Sequence, residues 1–212
     1  MKKFLLIVVA TMFVGTISAQ DWQKNIFGIR VGANLSNLTF KSSGSISGDI
    51  RPNFHAGFNY ERLLLNNIPL YIESGLYYSN KGYKLVDYDE KHIVSFNYVE
   101  IPLMVNYKFR ISDFTLYPSA GVYYAYGISG KETYRDEYEG GAEVEEYDAF
   151  GEDGEYNRSD FGYRIGISAT YKNFVLGVGY EHSLLNVCNA KDFDGDIKAS
   201  NSNIFISVGY NF

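Results

Sequence analysis

Ile204-Phe205-Ile206-Ser207-Val208-Gly209-Tyr210-Asn211-Phe212 is the stretch that decides the fold. Ile204, Ile206, Val208, Tyr210 and Phe212 fall on one face of an extended chain. Phe205, Ser207, Gly209 and Asn211 fall on the other. A period of two, with one apolar face, a small or polar opposite face and a terminal aromatic residue, is how outer-membrane β-barrels close. The apolar side meets lipid and the other side meets the lumen.

The pattern recurs upstream. Eight strands are expected, over 26–36, 53–62, 69–80, 95–109, 114–127, 160–171, 174–182 and 203–212. In the first, Phe27, Ile29, Val31, Ala33 and Leu35 alternate with Gly28, Arg30, Gly32 and Asn34. In the fourth, Val99, Ile101, Leu103, Val105 and Tyr107 alternate with Tyr98, Glu100, Pro102, Met104 and Asn106. Strands of about ten residues match a tilted membrane crossing. The connections alternate in length. Long polar segments span 37–52, 81–94, 128–159 and 183–202, and short ones span 63–68, 110–113 and 172–173. Long loops outside and short turns inside are the barrel asymmetry, with both termini on the periplasmic side. A secreted β-sandwich would also alternate, but nothing in it requires loop lengths to alternate. The expected fold is therefore all-β, an eight-stranded antiparallel up-and-down transmembrane β-barrel. Pro102 and Pro118 depart from the ideal, because proline removes a ladder donor. They are expected at a bulge or near the periplasmic rim.

The other end of the chain supplies the route. Lys2 and Lys3, an apolar run from Phe4 to Val14 and small residues up to Ala19 read as a secretory signal over 1–19. The barrel domain is then 20–212. The run is too short for a comfortable membrane helix, and no other long apolar stretch follows. Aromatics make up 17% of the chain, with 20 Tyr and 15 Phe, and aromatic girdles at two membrane interfaces would use them. Cys188 is the only cysteine, so no disulfide forms within the chain. The net charge is −6, and loss of Lys2 and Lys3 with the signal makes it more acidic. An acidic chain without a basic patch argues against nucleic-acid binding.

Six segments in order carry a family resemblance: Gly32-Ala33-Asn34-Leu35-Ser36, Phe54-His55-Ala56-Gly57, the run from Leu70 to Gly82, Tyr98-Val99-Glu100-Ile101-Pro102-Leu103, Ala120-Gly121-Val122 and Val208-Gly209-Tyr210-Asn211-Phe212. Together they resemble the PorT-like outer membrane protein beta-barrel family, common in Bacteroidetes. The Tyr-x-Glu-Ile-Pro-Leu stretch and the Glu73-Ser74-Gly75-Leu76-Tyr77-Tyr78-Ser79 run are the more specific parts. The resemblance implies a small outer-membrane barrel and little about molecular activity. The family's founding name is tied to protein secretion and gliding.

The lumen-facing parity carries Arg30, Glu61, Glu73, Glu100, Lys108, Arg164 and Glu181. A lone charge inside a narrow barrel is costly to desolvate, whereas opposite charges sharing the interior pair. Eight strands leave room for side chains rather than a wide channel. A salt-bridged plug is expected, with Arg30 and Arg164 gripping carboxylates through two nitrogens each. Some of these charges would simply be hydrated if they lay at the rim.

Other motifs are weaker. His92 lies near Asp87, Asp89 and Glu90, and His182 beside Glu181 and Ser183. Neighbours on a strand point to opposite faces, and no Gly-x-Ser-x-Gly or His-Glu-x-x-His occurs. Between Lys131 and Asp160 stand twelve acidic residues against three basic ones. This segment reads as a solvated, mobile loop, or as a contact for a basic partner or a divalent cation. Asp192-Phe193-Asp194-Gly195-Asp196 offers calcium-type oxygens without the full twelve-residue frame. Cys188 reads as a packed small residue. No motif implies a cofactor or metal, and no enzyme is expected. The leading expectation is a monomeric, non-enzymatic envelope scaffold in the cell outer membrane. Its loops would be presented for adhesion or for assembly with an envelope or secretion partner. An accessory role in protein secretion or transport is the alternative. A hydrolase or acyltransferase at the outer rim is third.

Overall fold

The structure, a computed structural model, describes residues 22–41, 45–87, 90–138, 141–151, 154–189, 191–192, 195–196 and 198–212. The expected signal segment 1–19 lies outside them. Among the described residues the strands are β1 (Asn25–Lys41), β2 (Ser45–Ser47), β3 (Arg51–Leu65), β4 (Ile68–Asp87), β5 (Glu90–Tyr107), β6 (Phe109–Ile111) and β7 (Phe114–Tyr138). They continue with β8 (Gly141–Asp148), β9 (Ser159–Tyr171), β10 (Phe174–Ser183), β11 (Lys191–Asp192), β12 (Gly195–Asp196) and β13 (Lys198–Asn211).

The long strands pair antiparallel in the order β13-β10-β9-β7-β5-β4-β3-β1. The sheet then returns on itself, because β13 pairs with β1 from Gly28↔Asn211 to Lys41↔Lys198. A closed sheet has no long unpaired edge, which is what a strand needs where no water is present to satisfy its backbone. β2 adds to β1, β6 and β8 add to β7, and β11–β12 form a separate pair.

Alternation sets the two faces. Ile29, Phe58, Leu76, Leu103, Ile167, Leu176 and Val208 are exposed on the outside, whereas Arg30, Glu61, Tyr77, Glu100, Tyr123 and Asn203 are buried inside. This is the reverse of a water-soluble sheet, in which an exposed contiguous apolar surface would be a liability. Aromatic pairs ring the outer surface at the short-turn end, with Phe27–Tyr60 centroids 4.8 Å apart, Phe114–Tyr171 4.9 Å apart and Phe174–Tyr210 5.4 Å apart. Amphipathic rings at such a level suit a membrane interface.

The strands outrun the expected spans. β4 continues to Asp87 rather than ending at 80, β5 begins at Glu90 rather than 95, and β7 runs to Tyr138 rather than 127. β8 then folds back on β7 inside the segment read as a mobile loop. The apolar alternation fades above the lipid because neither face of the sheet needs apolar side chains there, yet backbone pairing persists. The prolines mark the ladder differently. β5 stops at Tyr107 and resumes only at β6. The gap faces the stretch of β7 that holds Pro118, between Asn106↔Ser119 and Phe109↔Leu116, and proline has no N–H for a ladder. On the other side of the strand the Lys108 N–H donates to the Pro69 carbonyl of β4 at 2.9 Å. Beside Pro102 the β4–β5 pairing lapses between Ser74↔Leu103 and Tyr77↔Glu100 without a shift of register. The register shifts lie elsewhere, opposite Asn97 and Tyr98 and between Leu63 and Leu65.

The mouth at the long-loop end is filled. Phe150 stacks on Phe96 at 5.3 Å, Tyr156 meets Phe96 edge-on at 4.9 Å, and the Tyr83 and Tyr156 hydroxyls lie 2.7 Å apart. Cys188 is buried in the same cluster. Arg158 straps this cap down, donating to the carbonyls of Gly127 at 2.9 Å and Phe150 at 3.1 Å. Residues 149–151 and 154–158 thus correct the reading of a solvated loop, because their aromatic side chains have an interior to fill.

The seam between β1 and β13 admits no side chain at Gly32. A Cβ there would collide with the Ile206 carbonyl and the His55 ring. Gly32→Val is expected to block closure. The variant should lose the compact, heat-modifiable band on unboiled gels, whereas Ala33→Val on the outer face should keep it.

Candidate functional site

The interior charges fall into layers set by strand parity. Nearest the short turns, Lys108 Nζ lies 2.7 Å from Glu61 Oε2. The Lys108 ammonium also sits over the Tyr71 ring at 4.3 Å. Asn106 donates to Glu73 at 2.6 Å and to Glu61 at 3.3 Å. Arg30 Nη2 stands 4.0 Å from Glu61 and donates to Asn211 Oδ1 at 2.8 Å.

Further up, four charges share one layer. Lys81 Nζ lies 2.7 Å from Glu100 Oε2 and 2.8 Å from Glu181 Oε2. Arg164 Nη1 reaches the other oxygens of the same two carboxylates, at 3.0 and 2.8 Å. Each carboxylate is therefore held between two cations, and Asn203 donates to Glu181 at 3.0 Å. Arg164 also lies over the Phe205 ring at 4.0 Å and Lys81 over the Tyr123 ring at 4.4 Å. Buried ion pairs of this kind are tolerable only when their remaining donors and acceptors are satisfied.

All seven expected lumen residues face inward, but two contacts differ from expectation. Neither Arg30 nor Arg164 grips a carboxylate through two nitrogens. Lys81 already occupies one oxygen of both Glu100 and Glu181, so Arg164 bridges the pair through a single nitrogen. Lys108 takes the near oxygen of Glu61, and Arg30 turns to Asn211 and to the Ile29 carbonyl at 3.0 Å. Lys81 escapes the sequence reading because it lies one residue beyond the expected end of the third strand. The parity that puts Tyr77 and Ser79 inside extends to it. Asp160, counted with the acidic loop, is fully buried and accepts from Asn201 at 3.0 Å.

Between the two layers lies a cavity of about 50 Å³, bordered by Arg30, Glu73, Tyr77, Asn106 and Arg164. Beside it, His55 is 2.8 Å from Ser207 Oγ and 2.9 Å from Asn34 Oδ1. Nucleophilic hydrolases use that spacing. Here it is buried, and the space beside it suits a water or two rather than an organic substrate.

The other histidines sit outside the charged layers. His92 stacks on Tyr134 with centroids 4.2 Å apart and rings 8° from parallel, and lies 3.5 Å from Glu132. His182 faces the Tyr180 hydroxyl at 3.4 Å, while Ser183 donates away from it to the Leu185 carbonyl at 3.1 Å. On the β7–β8 hairpin, a cleft of about 490 Å³ opens between Glu132, Tyr134, Tyr147, Asp148 and Glu155. Tyr147 donates to Glu145 at 2.7 Å, and that bond holds its phenol above the ordinary value. In the Asp192–Asp196 motif, Phe193 and Asp194 lie outside the described residues. Among the described residues, no three His, Cys, Asp or Glu side chains converge as a metal site.

A closed antiparallel sheet with apolar residues outside and charges inside is the signature of an outer-membrane barrel, and sequence comparison agrees. The chain belongs to the outer membrane protein beta-barrel domain family, which it matches over residues 18–189. It is an outer-membrane protein. No curated relative matches the sequence. Similar solved structures include Ail, the attachment invasion locus protein of Yersinia pestis, at 15% identity and a TM-score of 0.49, covering 90% of this chain and 100% of that one. A major outer membrane protein from Thermus thermophilus is 14% identical, with a TM-score of 0.47 and coverage of 90% and 100%. Neisserial surface protein A is also 14% identical, with a TM-score of 0.44 and coverage of 88% and 97%.

Removing the shared cation should be costly. Lys81→Met leaves Glu100 and Glu181 facing each other with Arg164 alone, and is expected to lower stability by about 3–5 kcal/mol. Lys131→Met breaks an exposed pair with Glu146 and should cost no more than about 1 kcal/mol. Urea unfolding in lipid vesicles, followed by tryptophan fluorescence, measures both.

Proposed function

We propose that the protein is a non-enzymatic scaffold of the outer membrane, an eight-stranded up-and-down transmembrane barrel that presents its long-loop end to the cell exterior. In this reading residues 1–19 direct export, 20–212 form the barrel, and it works as a monomer. The observation that carries the proposal is the filled interior. Four cations (Arg30, Lys81, Lys108, Arg164) face four glutamates (Glu61, Glu73, Glu100, Glu181) across the lumen, and the Phe150–Tyr156 cap closes the mouth above them. Such an interior supports rigidity rather than passage of solutes. The charges act as structural elements, not as a reaction centre.

What remains for interaction is the material above the membrane, chiefly the β7–β8 hairpin. Adhesion or assembly with another envelope protein suits a rigid stalk with a protruding hairpin. The PorT-like resemblance adds a secretion-accessory role as the second reading, and the same exposed elements would serve it.

Planar-bilayer recording tests the filled interior. The purified protein is expected to insert without opening a steady conductance, and a stable open channel would overturn the scaffold reading. A pull-down from solubilised outer membranes separates the two roles. Co-purification with secretion components would favour the accessory reading, and recovery of the barrel alone would favour the self-sufficient scaffold.

A further inference from the structure

β8 pairs with β7 from Lys131↔Asp148 to Tyr138↔Gly141. Among the described residues no strand pairs with its other side. β9 does not cover it, because β9 leaves β7 at Tyr126↔Ser159, below the hairpin. Every residue of β8 is exposed. An open edge of this kind presents backbone N–H and C=O groups to any strand that can lie beside it.

Charge decides what that strand can be. Asp136 lies directly across from Glu143, and Tyr134 across from Glu145. Like charges facing each other across a ladder are unfavourable, so a neighbouring cation would relieve them. Glu146 is already paired with Lys131, but a second copy of β8 would bring Glu143 and Glu145 against the same charges and is disfavoured. The cleft at the base of the hairpin adds a seat. Tyr134 and Tyr147 rings stand 6.0 Å apart at 74°, both well exposed, with Glu132, Asp148 and Glu155 around them. Tyrosine faces beside carboxylates suit an ammonium or guanidinium group. The carboxylates do not converge on one point. Their field is spread along the hairpin, which fits a chain bearing several cations better than a bare metal ion.

We propose that the open edge of β8 and its adjoining cleft dock an extended, Lys/Arg-rich polypeptide segment by strand addition, with one cationic side chain seated in the cleft against the exposed Tyr147 ring and the carboxylates around it. Main-chain pairing would supply affinity, and the acidic face would supply the choice of partner. The proposal rests on the scaffold reading, in which the hairpin stands outside the cell.

The test uses the full chain refolded in phosphatidylcholine vesicles, which carry no net charge to attract the probe. The probe is a fluorescent peptide of alternating Lys and Thr, about ten residues long to span a strand, titrated by anisotropy. A Glu–Thr peptide and a fully N-methylated Lys–Thr peptide serve as controls. The Lys–Thr peptide should bind and the Glu–Thr peptide should not. N-methylation, which keeps the charge and removes the backbone donors, should weaken binding at least about tenfold. The double variant Glu143→Gln, Glu145→Gln, which leaves the Lys131–Glu146 pair intact, should bind about tenfold more weakly while keeping its heat-modifiable band. Failure of the Lys–Thr peptide to bind overturns the proposal, as does equal binding of the methylated peptide. Protease added to intact cells reports the hairpin's placement. A protected hairpin would overturn the scaffold reading with it, whereas an exposed hairpin that ignores the peptide overturns this proposal alone.

Discussion

A strand surrounded by lipid has no water to satisfy its backbone, so each N–H and C=O must be paired inside the sheet. The pairing of β13 with β1 meets that constraint, and the rest of the structure depends on it. Closure divides every strand into a lipid face and an interior face. It also makes the interior narrow, so that polar side chains facing inward meet one another rather than bulk water. The layer of Lys81, Arg164, Glu100 and Glu181 follows from that confinement. Two cations and two carboxylates, drawn from four strands, compensate one another where none would be tolerated alone.

The same confinement explains the cap. A short stack of paired charges ends where the sheet rises out of the membrane. There Phe150 and Tyr156 fold over the mouth against Phe96 and Tyr83. The molecule thus has a polar middle and an apolar lid, the inverse of a soluble domain seen from either end. In the scaffold reading, function is left to the surface outside the lid, where, among the described residues, the outer edge of β8 is unpaired.

Much of this was legible in the sequence. Lipid contact imposes alternation, so Ile204 to Phe212 and the strand around Ile101 announce both the strand and its faces. The inward charges followed from the same parity, Arg30 through Glu181. What alternation could not reveal lies above the lipid. There Lys81, Tyr83 and Glu132 still point inward, but their outward neighbours, such as Lys84 and Thr133, carry no apolar signature. Asp160 is counted with the acidic loop although the expected span 160–171 gives it the inward parity of Gly162 and Arg164, and β8 has no buried face to leave a mark. The choice of partner within the charged layer was also out of reach. Whether Arg164 forks onto one carboxylate or bridges two depends on Lys81 arriving from another strand.

The most direct measurement is a double-mutant cycle between Lys81 and Glu181, using Met and Gln replacements, with unfolding free energies taken in lipid vesicles. If paired interior charges hold the closed sheet, the two substitutions should be strongly non-additive, with a coupling of about 2–3 kcal/mol. Additive losses, with coupling near zero, would mean that the two groups are independently hydrated and that the interior is wet rather than charge-paired.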